Sequence, residues 1–178
     1  MKLNIKEIVL FSMFGALMFA SKILMAWIPN VHILGTMIMT LTIVYRQKAL
    51  YPLYLYVFAD GLFGGFAMWW YPYLYVWTVL WGITMLLPRR MPKWLAPIVY
   101  MVVCALHGFA FGILYAPMQA WMFGFDFKMT VAWIVSGFPF DFIHGISNFA
   151  VGSLIVPLVE VIRKTDSRFA ISERSQKF

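Results

Sequence analysis

From Trp94 to Phe123, thirty residues pass without a single Asp, Glu, Lys or Arg. A run of that length exceeds the twenty or so apolar residues that cross a bilayer as a helix, and water-soluble domains seldom tolerate it. It is not alone, for the chain is 63% hydrophobic and 12% charged over 178 residues. A soluble protein of this size could not bury so much apolar surface. The runs are continuous rather than alternating, which excludes a β-barrel pattern. The sequence therefore specifies an all-α integral membrane protein, a six-transmembrane-helix bundle in one domain.

Six apolar segments are expected. They run over about Ile5–Ile28, Ile33–Tyr45, Leu50–Met68, Trp69–Leu87, Trp94–Phe123 and Met129–Ile162. The second is short for a crossing, so a tilt or an incomplete span is expected there. Pro117 is expected to kink the fifth, and Pro139 and Pro157 to bend the sixth. Residues 1–164 form the membrane domain, and 165–178, polar and mixed in charge, a loose cytoplasmic tail. The N-terminal run resembles a signal peptide only superficially, since no small-residue cleavage site follows cleanly.

The basic residues orient the bundle. With the N-terminus inside, Lys2, Lys6, Arg46, Lys48, Arg89, Arg90, Lys93, Arg163, Lys164, Arg168, Arg174 and Lys177 fall on the cytoplasmic side. Lys128 alone is outside, and Lys22 lies within a span. This asymmetry predicts a multi-pass protein of the cell membrane with both termini cytoplasmic. It also accounts for the net charge of +7 without invoking nucleic acid. Trp27, Trp69, Trp70, Tyr71 and Tyr73 fit an outer aromatic belt, and most of the remaining aromatic excess, including Trp77 and Trp81, reads as anchoring, although some of these rings could stack on a flat ligand.

Charge inside a bilayer is expensive and so marks function or pairing. Lys22 falls about 25 Å along the first helix, in the outer half. Asp60 and His107 reach the middle of their helices. On the last segment Gly137, Asp141, His144, Gly145, Asn148 and Gly152 form one helical stripe of small and polar residues, fit for a cavity or a tight helix contact. Gly61-xxx-Gly65 and Gly108-xxx-Gly112 offer further close contacts. Lys22 and Asp60 can serve a ligand or pair with each other. His107, Asp141 and His144 are metal-competent side chains, but HxxxH and HExxH spacings are missing and no metal is expected. Ser136 and Ser147 sit in no nucleophile motif, no Walker A sequence is present, and neither an enzyme nor a cofactor is expected. Cys104, the only cysteine, reads as a small buried residue.

The first helix carries GALMFASK, Gly15 to Lys22. Ala16 and Ala20 stack four apart as a small-xxx-small seam, while Lys22 points about 200° past Ala20. Small size, six helices, cytoplasmic termini, a basic inner face and Ala16-xxx-Ala20 together resemble the substrate-binding S component of energy-coupling factor transporters. The resemblance implies a subunit that captures a small heteroaromatic vitamin or precursor from outside. Its partners would be a transmembrane coupling subunit, contacted through Ala16 and Ala20, and two cytoplasmic ATPases. It further implies a substrate pocket involving Asn30 and His32 in the loop after the first helix and Asp141, His144 and Asn148 on the last; the intramembrane Lys22, Asp60 and His107 join them as candidate substrate-binding residues. A stand-alone proton- or ion-coupled carrier is the alternative.

Overall fold

The computed structural model describes residues 3–175, with side chains through residue 166. Lys2 and Lys177, and the side chains of Arg168 and Arg174, lie outside the described residues. Among the described residues the chain is helical and without strands. The order is α1 (Ile5–Met25), α2 (Leu34–Tyr45), a 3-10 turn (Arg46–Ala49), α3 (Leu50–Gly64), α4 (Tyr73–Leu86), α5 (Leu95–Phe109), α6 (Phe111–Phe123), α7 (Phe127–Gly152) and α8 (Ile155–Ser175). Three stretches are long and apolar enough to cross a membrane: α1, the α5–α6 run and α7.

Helix α1 starts at a capping box. The Asn4 side chain accepts from the Glu7 N–H at 2.8 Å, and the Glu7 carboxylate accepts from the Asn4 N–H at 3.2 Å. This satisfies two amide donors that a helix start otherwise leaves free. Glu7 also pairs with Lys48, tying the start of α1 to the 3-10 turn.

Helix α2 is the centre of the molecule. Every residue from Leu34 to Thr42 is buried, and α4, α8, α5, α7 and α1 pack around it. Twelve residues rise about 18 Å, less than a bilayer core, so α2 is a core helix sheathed by others. The remaining helices turn apolar side chains outward, among them Leu17 and Leu24 on α1, Leu62 on α3 and Phe138, Phe142 and Phe149 on α7. An apolar exterior around a partly polar interior is what lipid as solvent favours.

The sixth segment divides one turn before Pro157, where a bend is expected, whereas the division of the fifth does not fall at Pro117. Pro117 and Pro139 lie inside helices, whereas the fifth segment divides at Ala110 and the sixth at Ser153–Leu154. Pro157 occupies the first turn of α8, where its missing N–H costs no helical bond. Helix continues to Ser175, into the stretch expected to be a loose tail.

The glycines divide into three kinds. A Cβ at Gly108 would stand 2.8 Å from the Gly145 Cα, so α5 and α7 cross backbone to backbone there. Gly15 similarly seats α1 on Pro52 and Leu55 of α3. Gly65, by contrast, has φ 83° and ends α3, so it is a conformational glycine rather than a contact one. Gly137, expected within the packed stripe, has nothing within 4 Å of where its Cβ would be. The stripe is buried from Asp141 to Gly152 only.

Candidate functional site

The break at Ala110 creates a free helix start in the interior, and Asp141 answers it. The Gly112 N–H, in the first turn of α6, donates to Asp141 Oδ2 at 3.0 Å. A carboxylate from α7 thus caps α6 and meets the positive end of its dipole. Asp141, expected in the substrate pocket, has this backbone amide as its partner. Asp141→Ala should lower stability by about 1–3 kcal/mol, the range for a stranded buried donor, while Asp141→Asn keeps an accepting oxygen and most of the stability. Thermal midpoints of the two purified variants decide this; an alanine variant melting with wild type removes the cap argument.

Three imidazoles gather one layer away. The His32 ring, from the loop before α2, stands edge-on to His144 of α7 with centroids 4.6 Å apart. Trp77 of α4 lies 5.9 Å from His32 and 5.7 Å from His107 of α5. Phe111 of α6 touches His144 at 5.0 Å and Trp77 at 5.4 Å, and Tyr56 of α3 reaches Trp77 at 6.3 Å. Five elements and a loop therefore deliver their rings to a cage centred on Trp77, which is 1% exposed.

The cage is rich in polar atoms that the protein does not use. Tyr56 OH, Trp77 Nε1, His32 Nδ1, His107 Nδ1 and His144 Nε2 are buried without a hydrogen-bond partner among the described residues. Each such atom costs about 1–3 kcal/mol if left bare, and five together rival the stability of a whole domain. Their roles are partly fixed. His107 Nε2 faces the Val76 carbonyl at 3.0 Å. A carbonyl only accepts, so Nε2 carries the proton, and in the neutral ring Nδ1 is a bare acceptor. Trp77 Nε1 can only donate. Burial holds the His32 imidazole, in the loop outside the helices, down to about 4, so it is neutral at pH 7.

Lys22 and Asp60 form the rim. Lys22 Nζ is 2.5 Å from Asp60 Oδ2, with their side chains 28% and 5% exposed. The ammonium also lies 5.0 Å from the Tyr73 ring centroid and 5.3 Å from that of Trp69, a cation–π arrangement. Tyr73 in turn contacts Trp77 at 5.8 Å, which links the charged rim to the cage.

The other expected residues are placed apart from the rings. Asn148 donates from Nδ2 to the Cys104 carbonyl at 3.2 Å, at the tight passage of Gly35 and Gly108, with its Oδ1 buried and unpartnered. Asn30 is half-buried in the loop at φ 60°, a left-handed conformation that asparagine tolerates. Ala16 and Ala20 are exposed, on the face of α1 opposite α3. No three His, Cys, Asp or Glu side chains among the described residues converge to hold a metal.

Trp77, Tyr56 and Phe111 were not singled out as site residues in the sequence. Trp77 read chiefly as an interfacial anchor, yet it is core, as is Trp70, whose Nε1 donates to the Val57 carbonyl at 2.8 Å. The available signal was spacing: Tyr73 and Trp77, and Tyr56 and Asp60, are each four apart and share a helix face. Set against protein-family models, curated proteins and solved structures, the chain finds no match.

Proposed function

We propose that this chain is the substrate-binding subunit of an energy-coupling-factor-type transporter. In this reading it is a six-span membrane bundle with both termini cytoplasmic, which binds a small heteroaromatic molecule and relies on partner chains for coupling and ATP hydrolysis. The observation that carries the reading is the set of five unpartnered polar atoms around Trp77. A planar ligand bearing adjacent donor and acceptor groups matches it. Its N–H would donate to His107 Nδ1, its carbonyl or ring nitrogen would accept from Trp77 Nε1, and the rings would flank its faces. Lys22 and Asp60 would meet a polar substituent at the rim, exchanging part of their mutual pair for it. Asp141 and Asn148 would hold α5, α6 and α7 in register around the cage. The exposed Ala16 and Ala20 would face the coupling subunit.

Trp77→Phe keeps an aromatic six-membered ring but deletes the Nε1 donor and part of the indole, so ligand affinity should fall about tenfold or more, and the free protein should also lose stability to the cavity left in the core. The ligand is first identified by mass spectrometry of small molecules retained on the purified chain. Retention of nothing, or an unaltered affinity in Trp77→Phe, would remove the cage as a binding site. Co-purification with a membrane subunit and two ATPases tests the partner half of the reading.

The close His32–His144 pair favours one rival, a stand-alone proton-coupled carrier using the imidazoles as a relay. Pumped uptake by the chain alone in liposomes under a proton gradient would decide for it.

A further inference from the structure

The opposite end of the bundle holds a second concave feature. A cleft of about 220 Å³ opens between the ends of α2, α4 and α8 and is lined by Arg46, Arg89 and Arg163, with Val44, Leu87 and Thr84. Its volume is several times the share of one water molecule. Three guanidinium groups on one small cleft repel each other unless an anion sits among them.

The nearby groups do not supply that anion. Arg46 spends one N–H on the Met85 carbonyl at 2.6 Å, capping α4, but its Nε is buried and unpartnered. Arg89 and Arg163 make no ion pair among the described residues. Asp166, one turn beyond Arg163 on α8, accepts instead from the Tyr45 hydroxyl at 3.0 Å. The backbone at Arg46 is itself unusual, with φ 55° and ψ −121°, a left-handed setting that a long side chain rarely adopts. It is held there by the Met85 contact and by Trp81 Nε1, which donates to the Arg46 carbonyl at 3.2 Å. The fold thus anchors Arg46 at the cleft, which Arg89 and Arg163 also line.

We infer that this cleft binds a phosphate group, bidentately gripped by Arg89 and Arg163 with Arg46 at its base. Planar guanidinium forks match phosphate oxygens, and the apolar side chains of Val44 and Leu87 suit the carbon portion of an ester. The same chemistry is offered by the headgroup of an anionic phospholipid and by a soluble phosphate compound. The inference is independent of the Trp77 cage and of any partner chain.

The test uses the full-length chain purified in neutral detergent. Native mass spectrometry compares retention of phosphatidylglycerol with that of phosphatidylcholine, and thermal unfolding is followed with and without inorganic pyrophosphate. Two double variants, Arg89→Gln/Arg163→Gln and the charge-matched Arg90→Gln/Lys93→Gln, remove two cations each from exposed positions. Phosphate binding by either probe should drop about tenfold in the first and less than twofold in the second. Preferential phosphatidylglycerol retention identifies the lipid source, and a pyrophosphate-induced rise in midpoint identifies the soluble one. Equal losses in both double variants, or no selective binding of either probe to the wild type, would overturn the inference. Competition between pyrophosphate and phosphatidylglycerol on the wild-type protein supplies a readout that needs no variant, and absence of competition where both bind also overturns it.

Discussion

Replacing Gly108 with valine is expected to destabilise the fold by about 3 kcal/mol or more, at the upper end for an overfilled core. A Cβ there would stand 2.8 Å from the Gly145 Cα and 2.9 Å from its nitrogen, distances that real Cβ atoms do not occupy. The Asn148 amide also stands 2.9 Å away and could turn aside, but the two Gly145 atoms are backbone and cannot. Helices α5 and α7 would have to separate along the most extensive helix pair in the molecule. Because His107 sits beside Gly108 and His144 beside Gly145, separation would also open the ring cage. Gly82→Ala and Gly137→Ala provide the contrast. Nothing lies within 4 Å of either position, so alanine should be neutral or stabilising by about 0.5–1 kcal/mol through helix propensity. Unfolding midpoints in detergent measure all three. A Gly108→Val protein that melts with wild type would show that the crossing is looser than the backbone contact requires.

The same crossing shows what the sequence could and could not convey. The stripe from Asp141 to Gly152 is a periodic signal, and periodicity survives any choice of neighbour, so its burial was legible. What it packs against was not, because helices in lipid are apolar on every side and carry no label for their partners. For that reason the short second segment left a tilted and an incomplete span open, and only its surroundings identify α2 as the central helix. The position of the break at Ala110 was hidden for a different reason. A proline inside a helix removes one hydrogen bond, whereas the Gly112 amide freed beyond Ala110 is met by a carboxylate twenty-nine residues further along the chain. Local rules find the first and cannot see the second. Trp77 illustrates the remaining gap: composition places tryptophan at an interface, and only the surrounding rings reveal one that is fully enclosed. Lys22 and Asp60 lie between these cases, since intramembrane charge signalled that each needed a partner, and the 2.5 Å contact shows which one it has.

On the transporter-subunit reading proposed above, Ala16→Trp is expected to abolish partner-driven uptake while leaving folding and ligand affinity within about twofold of wild type. The expectation follows from the two sides of α1. Phe11, Gly15 and Met18 are buried, and a Cβ at Gly15 would already stand 2.8 Å from Leu55, so that side is committed to α3. Ser12, Ala16 and Ala20 face away from it and are exposed. They form a shallow notch flanked by the larger Val9, Met13, Leu17 and Leu24, all more than half exposed. A notch of small residues lets another helix approach closely, which is how helices associate where lipid removes the hydrophobic drive. An indole at Ala16 would fill the notch without touching the interior, so loss of uptake with binding intact would place the defect on the exposed face of α1. Leu17→Trp, a similar enlargement on the rim of the same exposed arc, should leave uptake largely intact. Ligand affinity is measured on the purified chain and uptake in cells supplying the coupling and ATPase subunits. Full uptake in Ala16→Trp would remove the notch as the coupling surface, and parallel loss of binding would mean that this face of α1 supports the cage instead.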